Sequence, residues 1–137
     1  MKKAILVICS LGIIVMLVTA CGSNKTKPFK TMSTEDVVSV TVELLPPGVK
    51  IDLSLEEIGE LVTILQMVEI YGKDDSYRDY RGQAVIYSIT KDDGTQQTIM
   101  AYNPFIVING IGYKTNYEPC EALNALGNTI AQTPFGQ

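Results

Sequence analysis

The chain has 137 residues, is 46% apolar and 19% charged, and carries 15 acidic against 11 basic side chains. It contains neither histidine nor tryptophan. The acidic balance argues against nucleic acid as a partner, and the missing histidine removes the commonest general base, the commonest zinc ligand and the ordinary catalytic triads.

The N-terminus opens with Met1-Lys2-Lys3, a short basic segment, followed by an apolar run over residues 4–18 broken only by Ser10 and Gly12. That run is too short and wrongly flanked for a standard transmembrane helix and has the form of a secretory h-region. It ends in Val18-Thr19-Ala20-Cys21. These residues resemble the lipobox of bacterial lipoproteins: an apolar residue, two small or hydroxyl residues, then a cysteine. The resemblance implies cleavage between Ala20 and Cys21 and a diacylglyceryl group on the Cys21 thiol. It implies a protein anchored to the cell membrane by lipid and facing the extracytoplasmic side. Two acyl chains suit the task, since a single chain holds a protein only marginally, at about 0.8 kcal/mol per buried methylene. The competing reading is an ordinary signal peptide with a chance cysteine after the cut. It requires basic start, core length, small residues and cysteine all to coincide. Cys9 lies within the removed segment.

Removal of residues 1–20 takes Lys2 and Lys3 with it, so 9 of the 11 basic and all 15 acidic side chains remain, a net of −6. Cys120 is then the sole cysteine besides Cys21, so no disulfide within the mature chain is expected. Residues 21–31, Cys-Gly-Ser-Asn-Lys-Thr-Lys-Pro-Phe-Lys-Thr, suit a lipidated cysteine and flexible tether, with Phe29 as the point where packing begins. One domain over residues 32–132 and a loose tail over 133–137 account for the rest.

Within the domain, Ser33-Thr34-Glu35-Asp36 has the caps and first-turn acids of a brief helical turn. Val38, Val40, Val42 and Leu44 alternate with polar residues, the period of a half-buried strand. Pro46-Pro47-Gly48 turns the chain, and Val49, Ile51 and Leu53 return it as a hairpin. Ser54-Leu55-Glu56-Glu57 reads as a capping box, and Leu55, Ile58, Leu61, Val62 and Leu65 follow at helical spacing, which predicts a helix over 55–66. Val68 and Ile70 start a further strand. Residues 71–81 show no periodicity and are rich in charge and tyrosine, as in a polar loop. Val85, Tyr87 and Ile89 mark a strand, Asp92-Asp93-Gly94 a turn, and residues 98–102 its return. Asn103-Pro104 breaks the chain, residues 105–108 are short and apolar, and Asn109-Gly110 signals a two-residue hairpin to residues 111–115. Glu118-Pro119 opens a last helix, with proline at its first position and Cys120, Leu123, Leu126 and Ile130 on one face. The order predicts an α+β fold: an antiparallel sheet of about five to seven strands with two helices packed on one face. A hairpin-then-helix unit occurs at 38–66 and again at 105–131, without matching residues.

Several groups invite chemistry. Cys120 near a helix start is a conceivable nucleophile. It shares the apolar face, has no histidine to activate it and is flanked by Glu118 and Glu121, so a buried structural thiol is the better reading. Glu56, Glu57 and Glu60 would serve a carboxylate-based hydrolase only if two acids faced each other in a cleft; as helix-surface charges near an N-terminus they solubilise and complement the dipole. Asp74, Asp75, Asp79, Asp92 and Asp93 supply oxygens for calcium, but their spacing departs from the calcium-loop pattern and Lys73, Arg78 and Arg81 offset the charge. No metal ligands and no cofactor are expected. Tyr77, Arg78, Tyr80 and Arg81 are residue types enriched at binding hot spots, in a loop the core does not require. The alternative is a connector whose tyrosines lie back on the sheet. Tyr102-Asn103-Pro104-Phe105 is a second candidate surface, or a turn with two core aromatics.

The mature segment, from Lys27-Pro28-Phe29 to Leu123, resembles a group of small uncharacterised lipoprotein domains of Gram-positive bacteria. Val-Thr-Val-Glu-Leu-Leu-Pro-Pro at 40–47, Ala-Tyr-Asn-Pro-Phe at 101–105 and Tyr-Glu-Pro-Cys at 117–120 carry the likeness. It implies a Gram-positive cell-envelope location and brings no activity or functional residues. The expected function is a non-enzymatic module that binds an envelope protein or a small ligand; a carboxylate hydrolase and a purely structural envelope lipoprotein are the alternatives.

Overall fold

The computed structural model describes residues 25–133. The lipobox, with Ala20 and Cys21, and the tail from residue 134 lie outside the described residues. The fold is α+β, with seven antiparallel strands in one sheet and two helices. The strands are β1 (Val37–Leu45), β2 (Val49–Asp52), β3 (Ile70–Lys73), β4 (Ala84–Lys91), β5 (Gln96–Tyr102), β6 (Phe105–Ile108) and β7 (Ile111–Thr115). Their order across the sheet is β2-β1-β4-β5-β6-β7-β3.

Alternation of apolar and polar residues fixes the register, because a one-residue slip would turn every core side chain outward. Val42 on β1 stands opposite Ile51 on β2 and Tyr87 on β4; Tyr87 stands opposite Ile99 on β5, and Ile99 opposite Ile108 on β6. These and their same-face neighbours, among them Val40, Leu44, Val85, Ile89, Ala101 and Ile106, form the sheet's share of the core. The Asn109-Gly110 turn has both residues at positive φ, 49° and 84°, the geometry of a type I′ hairpin that joins β6 to β7.

The helices cover the apolar face. Helix α1 (Leu55–Met67) starts with the capping box: the Glu57 amide donates to Ser54 Oγ at 3.2 Å, and the Ser54 amide donates to Glu57 Oε2 at 2.7 Å. It buries Ile58, Leu61, Val62 and Leu65. Helix α2 (Tyr117–Gln132) buries Cys120, Leu123, Leu126 and Ile130. It starts at Tyr117, two residues earlier than a proline at the first position implies, so Pro119 occupies its third position, where a missing amide hydrogen still costs nothing. Its N-cap, Asn116, makes no cap bond to the helix. Instead its side chain accepts from the Glu69 amide at 3.0 Å and donates to the Met67 carbonyl at 3.3 Å, tying the start of α2 to the end of α1. Both hairpin-then-helix units therefore end in a helix on the same face, and the two helices contact each other.

Two boundaries differ from the sequence reading. Residues 26–32, assigned up to Thr31 to a tether, lie on the domain. Thr26 and Ile70 exchange backbone hydrogen bonds of 2.9 and 2.8 Å, Phe29 is 2% exposed, and Gln66 Nε2 donates to the Met32 carbonyl at 2.8 Å. Three backbone and side-chain anchors hold a stretch whose composition alone suggests flexibility. The loop expected from residue 71 begins later, because residues 70–73 pair with β7 as an edge strand. A half-polar edge strand has no clean period to read. Among the described residues no helix is long and apolar enough to cross a membrane.

Candidate functional site

The second face of the sheet is not covered by helices, and the segment between β3 and β4 is laid across part of it. Asp74, Asp75 and a short 3-10 turn (Ser76–Asp79) fix the course of this segment. The Asp74 carboxylate accepts from the Ser76 amide at 3.0 Å and from its hydroxyl, and Lys114 stands 3.8 Å away. These hydrogen bonds, with the lysine charge, hold Asp74 below the usual carboxylate range. Asp75 Oδ1 accepts from the Gly112 amide at 3.1 Å. Asp93 caps the β4–β5 turn by accepting from the Thr95 amide and hydroxyl at 2.9 and 2.6 Å. The acids considered for calcium at positions 74, 75 and 93 thus accept hydrogen bonds from two turns and from the β7 backbone.

The four loop residues separate into two pairs. Tyr77 lies over Gly112, so closely that a Cβ there would stand 2.7 Å from its ring. Arg78 Nε donates to Tyr77 Oη at 3.3 Å, with the guanidinium 5.6 Å from the ring centre. Tyr77 therefore lies back on the sheet, with Arg78 exposed beside it. Tyr80 packs its ring against Phe105, centroids 5.5 Å apart at 49°, yet remains 58% exposed. With Arg81 it lines an open cleft of about 350 Å³ at the end of the sheet, against α2.

That cleft unites the two surfaces the sequence marks separately. Tyr80 and Arg81 come from the loop, and Tyr102 and Asn103 from the end of β5. At Gly82 the chain passes close to Tyr102: a Cβ there would stand 3.3 Å from Tyr102 Oη, and the tyrosine would have to give by a few tenths of an ångström. The Tyr102–Phe105 segment also divides: Phe105 is buried under Tyr80 on the second face, while Asn103 faces α2 through a 3.1 Å bond from its Nδ2 to Glu121 Oε2. Glu121, Asn124 and Asn128 form the α2 wall. The sequence reading missed these three. Their spacing of three and four residues places them on one helical stripe beside the apolar one, a signal that was available. Glu56 and Glu57 lie in the first turn of α1, away from this cleft.

Polar groups in the cleft are only partly engaged. Asn124 Nδ2 donates to the Cys120 carbonyl at 3.2 Å and Asn128 Nδ2 to the Asn124 carbonyl at 2.9 Å. Gln83 Nε2 donates to the Pro46 carbonyl at 3.2 Å. Asn103 Oδ1 is buried without a partner, and among the described residues Arg81 forms no ion pair. Cys120 lies beneath, fully buried, its thiol directed at the Phe105 carbonyl 3.4 Å away; burial pushes it up to about 12. A thiol so held carries no thiolate at neutral pH. Among the described residues no cluster of acids or cysteine has the arrangement of a metal site.

No protein-family model matches the chain, and neither the curated proteins nor the solved structures include one that matches it.

Proposed function

We propose that this protein is a lipid-anchored extracytoplasmic binding module of the cell envelope, non-enzymatic, which takes a small polar ligand or a polar segment of an envelope partner into the cleft beside α2. One observation carries this reading. Arg81, which forms no ion pair among the described residues, lines one open cavity with Glu121, Asn124, Asn128 and two tyrosines, a set of charged, polar and aromatic side chains suited to holding a polar group. Anchoring rests on the lipobox resemblance at Val18–Cys21.

Crosslinking in intact cells, followed by mass spectrometry of what co-purifies, tests the reading. The lipidated protein is compared with a Cys21→Ala version and with a folded Arg81→Ala/Asn124→Ala double variant. Capture by the lipidated protein, weakened in both others, is expected. Equal capture by the double variant removes the cleft from consideration.

A further inference from the structure

We infer that the cleft ligand is a zwitterion of the amino-acid type, a free amino acid or a short peptide with its amine and carboxylate unblocked; this rests on the cleft being the binding site. The warrant is an account of donors and acceptors. An amide and a bare carbonyl or carboxylate can bond only through the amide nitrogen, so the partners fix which way each side-chain amide points. Asn124 and Asn128 turn their nitrogens to helix carbonyls, and Asn103 turns its nitrogen to Glu121. The Asn103 oxygen is buried, while those of Asn124 and Asn128 are engaged by no donor among the described residues. Together with the Glu121 carboxylate they give the α2 side of the cleft a surplus of acceptors and one negative charge. The complementary group is a cationic amine, which brings three N–H donors to one point.

The opposite side carries the reverse demand. Arg81 is a fixed fork of N–H donors with no acceptor of its own and no carboxylate within ion-pair distance among the described residues. It suits a planar carboxylate, which it can hold in bidentate fashion. One cation and one anion in the same cavity leave it neutral overall, so neither a simple cation nor a simple anion satisfies both sides. A neutral polyol would meet the acceptors but leave the Arg81 charge without a counter-ion. The volume of about 350 Å³ accommodates a ligand of one or two residues.

Isothermal titration calorimetry on the full lipidated chain in detergent micelles tests this with four probes: L-alanyl-L-alanine, its N-acetyl form, its C-terminal amide, and maltose. The free dipeptide is expected to bind, with acetylation and amidation each weakening it at least tenfold. In Arg81→Ala the free dipeptide and its amide should bind equally, because the group that reads the carboxylate is gone. In Glu121→Gln the penalty for acetylation should shrink. Maltose binding without dipeptide binding, or dipeptide binding indifferent to both blocking groups, overturns the inference and leaves the cleft as a site of another kind. No heat from any probe also overturns it; the in-cell capture then decides separately whether the cleft binds at all.

Discussion

Gly127 sits in the third turn of α2, and replacing it with alanine sets two effects against each other. Helix propensity favours alanine by about 1 kcal/mol. Packing opposes it. A Cβ at Gly127 would fall inside contact distance of Val85 Cγ1, with Tyr87 Oη at 3.3 Å and Val42 Cγ2 at 3.4 Å. Val85 cannot retreat, since it is fully buried and its strand is paired on both sides, with Leu44 and with Ala101. Forcing a methyl group into such a site costs typically about 1–3 kcal/mol, and lifting the whole helix would loosen Leu123 and Ile130 as well. With propensity set against the upper part of that range, Gly127→Ala should destabilise the domain by about 1–2 kcal/mol, equivalent to a melting point lower by roughly 4–8 °C for each kcal/mol in a domain of this size. Thermal and urea unfolding followed by circular dichroism measure it. The cost should shrink when Val85→Ala is present as well, because the shortened side chain vacates the contested space. A Gly127→Ala protein that melts at or above the parent temperature would refute the reasoning.

Ser54→Ala removes the side-chain half of the α1 capping box and should cost about 1 kcal/mol in urea unfolding. Tyr87→Phe deletes a buried hydroxyl that donates to the Leu123 carbonyl at 2.6 Å; a loss of about 1 kcal/mol is expected by the same assay. Burial holds the Cys120 thiol protonated up to about 12, where an exposed thiol ionises near 9. The unfolded chain therefore gives up a proton that the folded one keeps. Stability should be undiminished below pH 9 and fall as pH rises towards 12, and Cys120→Ala should flatten part of that decline in a series of urea midpoints. Gly112→Ala would press on the Asp74 backbone carbonyl as well as the Tyr77 ring, so it should displace the β3–β4 segment, seen as faster tryptic cleavage after Arg78 and Arg81 together with a lower melting point.

Strong periodicity made most of the fold legible. The alternation in β1 and β4, the Asn109-Gly110 turn and the Ser54–Glu57 box each tie a local pattern to one backbone geometry, and each local preference agrees with the tertiary arrangement. The strand at Ile70 was legible at its start, but its extension to Lys73 was not, because the pairing depends on β7, forty residues further along, and the exposed side chains follow no period. In residues 26–32 the packing of Phe29 was legible, but the pairing of Thr26 with Ile70 was not, because the polar composition around it reads as tether. At the site, residue type pointed to Tyr80 and Arg81. It could not separate them from Tyr77 and Arg78, since the difference lies in Gly112, which draws Tyr77 back onto the sheet. The α2 wall was written at Glu121, Asn124 and Asn128, but the reading of α2 followed its apolar stripe only.

The bridge between Thr26 and Ile70 sets the length of leash. With the lipid on Cys21, only the residues up to Lys25 separate the acyl chains from the clamped backbone, a span of about 14 Å when fully extended. Lys25 is itself paired with Glu69 at 2.8 Å. The clamp sits where β3 begins and β7 ends, and antiparallel pairing places the end of β5 and the start of β4, which frame the cleft, at that same end of the sheet. If Cys21 carries the lipid, as proposed, so short a leash would keep the domain against the bilayer with its cleft low, near the headgroups. Ligands would then be sampled from the thin aqueous layer at the membrane surface, while a partner standing further out in the wall would meet the opposite end, the β4–β5 turn around Asp93.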